Sequence, residues 1–161
     1  MHIGLFTIGF TQKSAEEFFT LLQEAGVKKL VDIRENRGGQ LAGFAKGDDL
    51  PFFLRRIAGV EYEAEPLLAP TRDLRKAYQA SMDWSYYEPR FLALLEERDV
   101  GRVIRPERFA EPTVLLCACA SAEHCHRRLV AEVLARAWTR AGHSVEITHL
   151  ALAKKRKSRQ R

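Results

Sequence analysis

Nowhere does the chain carry about 18 consecutive apolar residues, so a membrane-spanning helix is excluded. Cysteine is scarce. There are three in 161 residues, an odd number, all between positions 117 and 125. That pattern excludes a secreted disulfide framework and favours reduced thiols gathered in one local site. The opening Met1-His2-Ile3-Gly4-Leu5-Phe6 lacks both the basic start and the cleavage site of a signal peptide, so a cytoplasmic location is expected. Internal repeats and low-complexity linkers are also missing.

Acidic residues are absent from the last nine positions, where Lys154, Lys155, Arg156, Lys157, Arg159 and Arg161 stand. Without those six charges the formal net charge of +5 becomes 20 basic against 21 acidic residues, a body at −1. The isoelectric point of 9.3 therefore belongs to the tail. Such a tail either hangs solvated or holds phosphates by a salt-sensitive, sequence-independent attraction. The whole chain is 46% hydrophobic and 29% charged, enough apolar material for one core and too much for a disordered chain. A single α/β domain over 1–152 and a basic, disordered tail over 153–161 are expected.

The run Ile3 to Ile8 reads as a buried strand stopped by Gly9. Ser14 and Glu17 form a capping box before Phe18, Leu21, Leu22 and Ala25, and Gly26 ends that helix. Leu30 to Ile33 is a second strand, ending at Arg34. From Glu35 to Asp49 the chain holds four glycines (Gly38, Gly39, Gly43, Gly47), too long for an ordinary connection and a candidate functional loop. A helix over Leu50 to Ala58 and a strand around Val60 to Tyr62 follow, and Pro66 and Pro70 open an irregular segment. Pro89 fits the first turn of a helix carrying Phe91, Leu92, Leu94 and Leu95. Thr113 to Cys117 reads as the central strand. The longest helix carries Leu129, Val130, Val133, Leu134, Ala137 and Trp138 inward and closes at Gly142, and Val145 to Thr148 makes a last strand.

Strands alternating with helices predict a three-layer, Rossmann-like α/β fold: a mostly parallel sheet of about five strands with helices on both faces. Ligands bind beyond the carboxyl ends of such strands. Three polar clusters fall at those ends: Thr7 to Thr11 with Gly9, Asp32 to Arg34, and Cys117 to Arg128.

The third cluster holds every thiol and two of the five histidines within twelve residues, between a buried strand and a long helix. A helix starting near Cys125 would turn unpaired N–H groups and its positive end toward that thiol. His124, His126, Arg127 and Arg128 add to the effect, which predicts a lowered Cys125 pKa. Three readings stay open. Cys125, or Cys117, is a nucleophile assisted by His126. Alternatively Cys117, Cys119, Cys125 and His126 bind zinc, with spacing poor for a structural site. In the third, the thiols are small buried hydrophobes. Asp32 and Arg34 face the same side of their strand. They either form a structural salt bridge, or Arg34 clamps an anion while Asp32 orients it or acts as a base. Arg37 and Lys46 would add positive charge, and Thr7, Gly9, Arg34, Arg37 and Arg127 are the candidate binding residues. Tyr62, Tyr78, Trp84, Tyr86 and Tyr87 serve either as core or as stacking surfaces. His143 and His149 show no motif.

Together these clusters resemble the family known as domain of unknown function 488. The resemblance runs from Phe6 to Leu134, through Thr7-Ile8-Gly9-Phe10-Thr11, Leu30-Val31-Asp32-Ile33-Arg34, Gly59-Val60-Glu61-Tyr62 and Leu115-Leu116-Cys117 leading to His124-Cys125-His126-Arg127. It implies an α/β fold with a site built from Asp32, Arg34, Cys117, Cys125, His126 and Arg127, and implies no reaction. The chain departs from the family pattern at Cys119, where an acidic residue is usual, near Ala122, and at Arg37 and Gly39-Gln40. Val-Asp-Ile-Arg-Glu with a cysteine at a later strand end also looks like rhodanese sulfurtransferases, an analogy of fold alone. The expected function is a cysteine-dependent enzyme, a transferase or hydrolase, acting on an anionic small molecule or nucleic acid. Cys125, Cys117, His126 and Asp32 would carry the chemistry, with no cofactor. A non-catalytic nucleic-acid-binding module and a rhodanese-like sulfurtransferase are the alternatives.

Overall fold

A computed structural model describes residues 1–38, 43–119 and 121–153. Gly39 and Gln40 of the glycine-rich loop, Ala120 of the thiol segment and all six basic residues of the tail lie outside the described residues. Five strands, β1 (His2–Gly9), β2 (Lys29–Asp32), β3 (Glu61–Ala64), β4 (Thr113–Cys117) and β5 (Ser144–His149), form one all-parallel sheet in the order β3-β2-β4-β1-β5. Every residue of β4 is buried, as the unbroken apolar run requires of a strand covered on both faces. Registers place Gly9 beside Cys117 and Asp32 beside Leu116, so three of the polar clusters meet at one edge.

Alternation along the strands fills two separate cores. Ile8, Leu30, Val114 and Leu116 point to one face, against Phe18, Phe19 and Leu22 of α1 (Ala15–Ala25) and Leu50 of α2 (Leu50–Phe53). Ile3, Leu5, Val31 and Leu115 point to the other. That face is covered by α4 (Trp84–Glu97), α5 (Val100–Val103) and α6 (His126–Arg140), with α3 (Arg72–Ser81) packed against α4. The chain therefore has three layers, as its alternating pattern predicts. β1 leads into α1 on one face and β4 into α6 on the other, which makes the carboxyl edge at these neighbouring strands the switch point where open α/β sheets bind ligands.

Local signals explain the elements. Ser14 Oγ accepts from the Glu17 N–H and the Glu17 carboxylate from the Ser14 N–H, so the capping box is formed in full. Gly26, at φ 69, supplies the left-handed residue that ends α1. The expected helix over Leu50 to Ala58 exists, but its second half, Leu54–Ala58, winds as a π-helix. Two expectations need correction. The segment after Pro70 is not irregular: Thr71 caps α3 through the Leu74 N–H, and Leu74, Ala77 and Tyr78 repeat at helical spacing. Nor does Pro89 open its helix. Asp83 caps α4 by accepting from the Tyr86 N–H at 3.2 Å, which places Pro89 inside the helix. Among the described residues no helix is long and apolar enough to cross a membrane.

Candidate functional site

At the carboxyl edge of the sheet lies a cavity of about 370 Å³. Its walls come from the segments after β1, β2 and β4 and from α3 and α4. Phe10, Tyr78, Trp84, Tyr87 and His124 line it with rings. Trp84 stacks on His124 at 5.1 Å between centroids and on Tyr87 at 5.3 Å. Arg34, Glu35 and Arg75 bring charge, and Cys119, Cys125 and His126 bring the reactive atoms.

The thiols meet behind that wall. Cys117 Sγ and Cys125 Sγ are 2.7 Å apart and both side chains are buried. Two thiolates cannot stand that close in a dry site, so at least one of the two sulfurs keeps its proton. Cys117 Sγ also accepts from the Cys119 N–H at 3.3 Å and from Arg127 Nη1 at 3.2 Å. Burial pushes the Cys117 thiol up. Hydrogen bonding with Cys119 and Cys125 and the charges of His126 and Arg127 outweigh that, and hold it well below the ordinary range. Cys125 goes the other way, pushed well up by burial and then by its contact with Cys117. The lowered thiol is thus Cys117 rather than Cys125, a correction to the sequence reading. Cys125 caps α6 in position but offers its sulfur to Cys117 instead of to backbone N–H groups. Cys119, hydrogen-bonded to Cys117, is pushed up to about 12.

Arg127 is the counter-charge. It is 1% exposed, donates from Nη1 to Cys117 Sγ and, at 2.7 Å, to the Cys119 carbonyl, and its Nε has no hydrogen-bond partner. Gly9 makes room for this arrangement. A Cβ there would sit 1.6 Å from the Cys119 carbonyl oxygen and 2.5 Å from Arg127 Nη1, so only glycine lets the thiol loop cross the end of β1. His126 donates from Nε2 to the Ile33 carbonyl at 2.8 Å, a bond that fixes the tautomer and leaves Nδ1 as the accepting nitrogen of the neutral ring.

Asp32 and Arg34 form the salt bridge that their strand position allows. Arg34 Nε and Nη2 donate to the two carboxylate oxygens at 2.9 and 2.8 Å, both side chains nearly out of water. Tyr62 donates its hydroxyl to the same carboxylate at 2.7 Å. Burial and the Asp32 carboxylate push the Tyr62 phenol up to about 12. The Arg34 guanidinium lies over the Phe10 ring at 5.4 Å and lines the cavity, so the salt bridge does not take it away from that space.

The structure thus brings Arg34, Cys125 and His126 to the cavity wall, with Cys117, Arg127 and Asp32 directly behind. It does not bring Thr7, Gly9 or Arg37 there. Thr7 is buried and hydrogen-bonded to His149 Nδ1 at 2.6 Å, Gly9 serves the close approach, and Arg37 lies in a neighbouring hollow of about 150 Å³ beside Asp32 and Arg34. Sequence reasoning missed Phe10, Glu35 and Arg75. Arg75 Nε donates to the Glu35 carboxylate at 2.5 Å, a pair across the cavity mouth. Recognising Thr71 as a helix cap would have brought Arg75 and Tyr78 to attention together.

Cys117, Cys125 and His126 gather their ligand atoms within 4.8 Å of one another, while Cys119 stands outside the group. A tetrahedral zinc ion with bonds of about 2.3 Å holds two sulfurs roughly 3.8 Å apart. At 2.7 Å Cys117 Sγ and Cys125 Sγ stand closer than that, and a metal would have to spread the pair. The rhodanese comparison ends at topology: Cys117 occupies the strand end, but its sulfur is sealed and turned to Arg127 and Cys125.

The sequence profile of the family described as Domain of unknown function DUF488 matches residues 14–134. No curated protein and no solved structure matches the chain.

Proposed function

The chain belongs to the DUF488 family, which hands down no reaction, and from the chemistry of the site we propose a cysteine-dependent enzyme acting on an anionic substrate of nucleotide type. The observation that carries this reading is the pair of sulfurs in contact beside the buried Arg127, at the wall of a ring-lined cavity. Cys125 is the nucleophile because it is the member of the pair that reaches the cavity. Cys117 takes its proton across 2.7 Å, so the attacking thiolate forms without an exposed base. Arg127 stabilises one negative charge on the pair whichever sulfur holds it. His126, with Nε2–H committed to Ile33, offers Nδ1 to a proton leaving or entering the site. Asp32 takes Nε and Nη2 of Arg34 and so fixes the guanidinium plane, leaving Nη1 for a phosphate or carboxylate oxygen. The rings of Trp84, Tyr78 and Phe10 suit a flat aromatic group.

Timed alkylation with iodoacetamide near neutral pH tests this. One thiol, Cys125, is expected to react fast, Cys125→Ser to remove the fast phase, and Cys117→Ser to slow it. Nucleoside monophosphates at millimolar concentration should protect the fast thiol, and inorganic phosphate should protect it less. Equal slow labelling of all three thiols, or no labelling, overturns the reading. The tail supports a second reading, a nucleic-acid-binding module, because its six basic residues would attract any polyanion.

A further inference from the structure

Two sulfurs already in contact, each fixed by its own backbone, need little motion to become bonded. Cys117 is held by β4, between β1 and β2, and Cys125 by the first turn of α6. We propose that Cys117 and Cys125 form a reversible two-electron dithiol–disulfide couple, oxidised by a hydroperoxide small enough to enter the ring-lined cavity. The proposal rests on the reading of this pair as the reactive centre and adds the way that centre is switched off.

The steps balance as follows. The Cys125 sulfur, its proton passed to Cys117, attacks the terminal peroxide oxygen and the O–O bond breaks. Cys125 becomes a sulfenic acid, and the departing alkoxide or hydroxide takes the proton from Cys117 and leaves as alcohol or water. The Cys117 sulfur then attacks the Cys125 sulfur, the S–S bond forms, and the expelled hydroxide takes one proton from solvent. Two sulfurs are oxidised by one electron each and one hydroperoxide is reduced by two.

Arg127 makes this bond easy to reverse. In the reduced pair its buried guanidinium donates to Cys117 and balances the charge on the sulfurs. A disulfide carries no charge, so oxidation leaves a sealed cation whose Nε already has no partner. The reduced state is therefore favoured, and the couple is oxidising and readily reduced, unlike a structural disulfide. Cys119 is the competing thiol: it lines the cavity and lies two residues from Cys117. Its backbone N–H donates to Cys117 Sγ at 3.3 Å and its sulfur also interacts with both members of the pair, so the peptide map must tell the three thiols apart.

The experiment treats the full chain with equimolar hydrogen peroxide, alkylates the remaining thiols under denaturing conditions, and maps peptides after cleavage at Glu123, which separates Cys125 from the other two cysteines. A 117–125 link with Cys119 alkylated is expected, and dithiothreitol should restore all three thiols. Cys119→Ser, outside the pair, should keep the link. Titration against glutathione buffers reads the equilibrium. Arg127→Gln should move it at least about tenfold toward the disulfide, about 30 mV, and Arg127→Lys less. A link through Cys119, sulfinic acid without a link, or thiols untouched by peroxide overturns the proposal. Because the readout is redox rather than turnover, fast alkylation of Cys125 without a link removes the couple and leaves the proposed enzyme standing. Loss of both removes both.

Discussion

A guanidinium and a carboxylate that have both left water must satisfy one another, and Asp32 and Arg34 do so through two parallel bonds. Asp32→Asn would leave the Arg34 charge buried and unmatched, at a cost of about 3–5 kcal/mol in urea unfolding. Tyr62→Phe, which deletes one hydrogen bond to the same carboxylate, should cost only about 1 kcal/mol. Tyr62 also sets a pH dependence. Its folded pKa of about 12 lies above the ordinary 10.0, so its contribution is complete below pH 10.0 and fades as pH climbs through about 12. Midpoints of unfolding over that window should fall less steeply in Tyr62→Phe than in the unaltered chain. At this scale the sequence was a good guide to residue types and a poor guide to protons. Cysteine, histidine and arginine in one short stretch announced the site. Which sulfur holds the charge depends on burial and on Arg127 reaching back to Cys117, and no spacing encodes that.

Elements were legible where their ends were marked. The Ser14 box, the closing Gly26 and the apolar spacing between them specify α1 without help from packing, and Ser14→Ala should lower stability by about 1 kcal/mol. α3 escaped because two prolines precede it and it buries no residue completely, so its apolar stripe is thin. Gly9 gives the sharpest test at this level. Gly9→Ala puts a methyl group into the Cys119 carbonyl, so the loop between β4 and α6 must shift. The fast alkylation of Cys125 should disappear while far-ultraviolet circular dichroism keeps its α/β form. An unchanged alkylation rate would mean that the loop tolerates displacement and that the sulfur pair does not depend on this crossing.

For the whole molecule, strand count, layers and parallel direction followed from the alternation of elements, because only crossovers can join parallel neighbours. The strand order was legible in part: the wholly apolar β4 takes the centre and β3 and β5, which carry Glu61, Glu63 and Glu146, take the edges, while nothing in β1 and β2 says which stands on which side of β4. Charge is also a property of this scale. Removing residues 153–161 takes away six positive charges and turns a chain at +5 into one at −1. Retention on a cation exchanger at neutral pH should vanish. Salt-sensitive affinity for duplex DNA should vanish with it, and affinity that survives and is then lost in Arg34→Ala would move recognition to the cavity.

The strand that opens the chain borders residues 113–117 on one side and 144–149 on the other. During synthesis on the ribosome, β1 must therefore wait, apolar and unpaired, until β4 has emerged, and its other edge waits for β5. A nascent chain stalled before β5 would offer chaperones a bare strand edge.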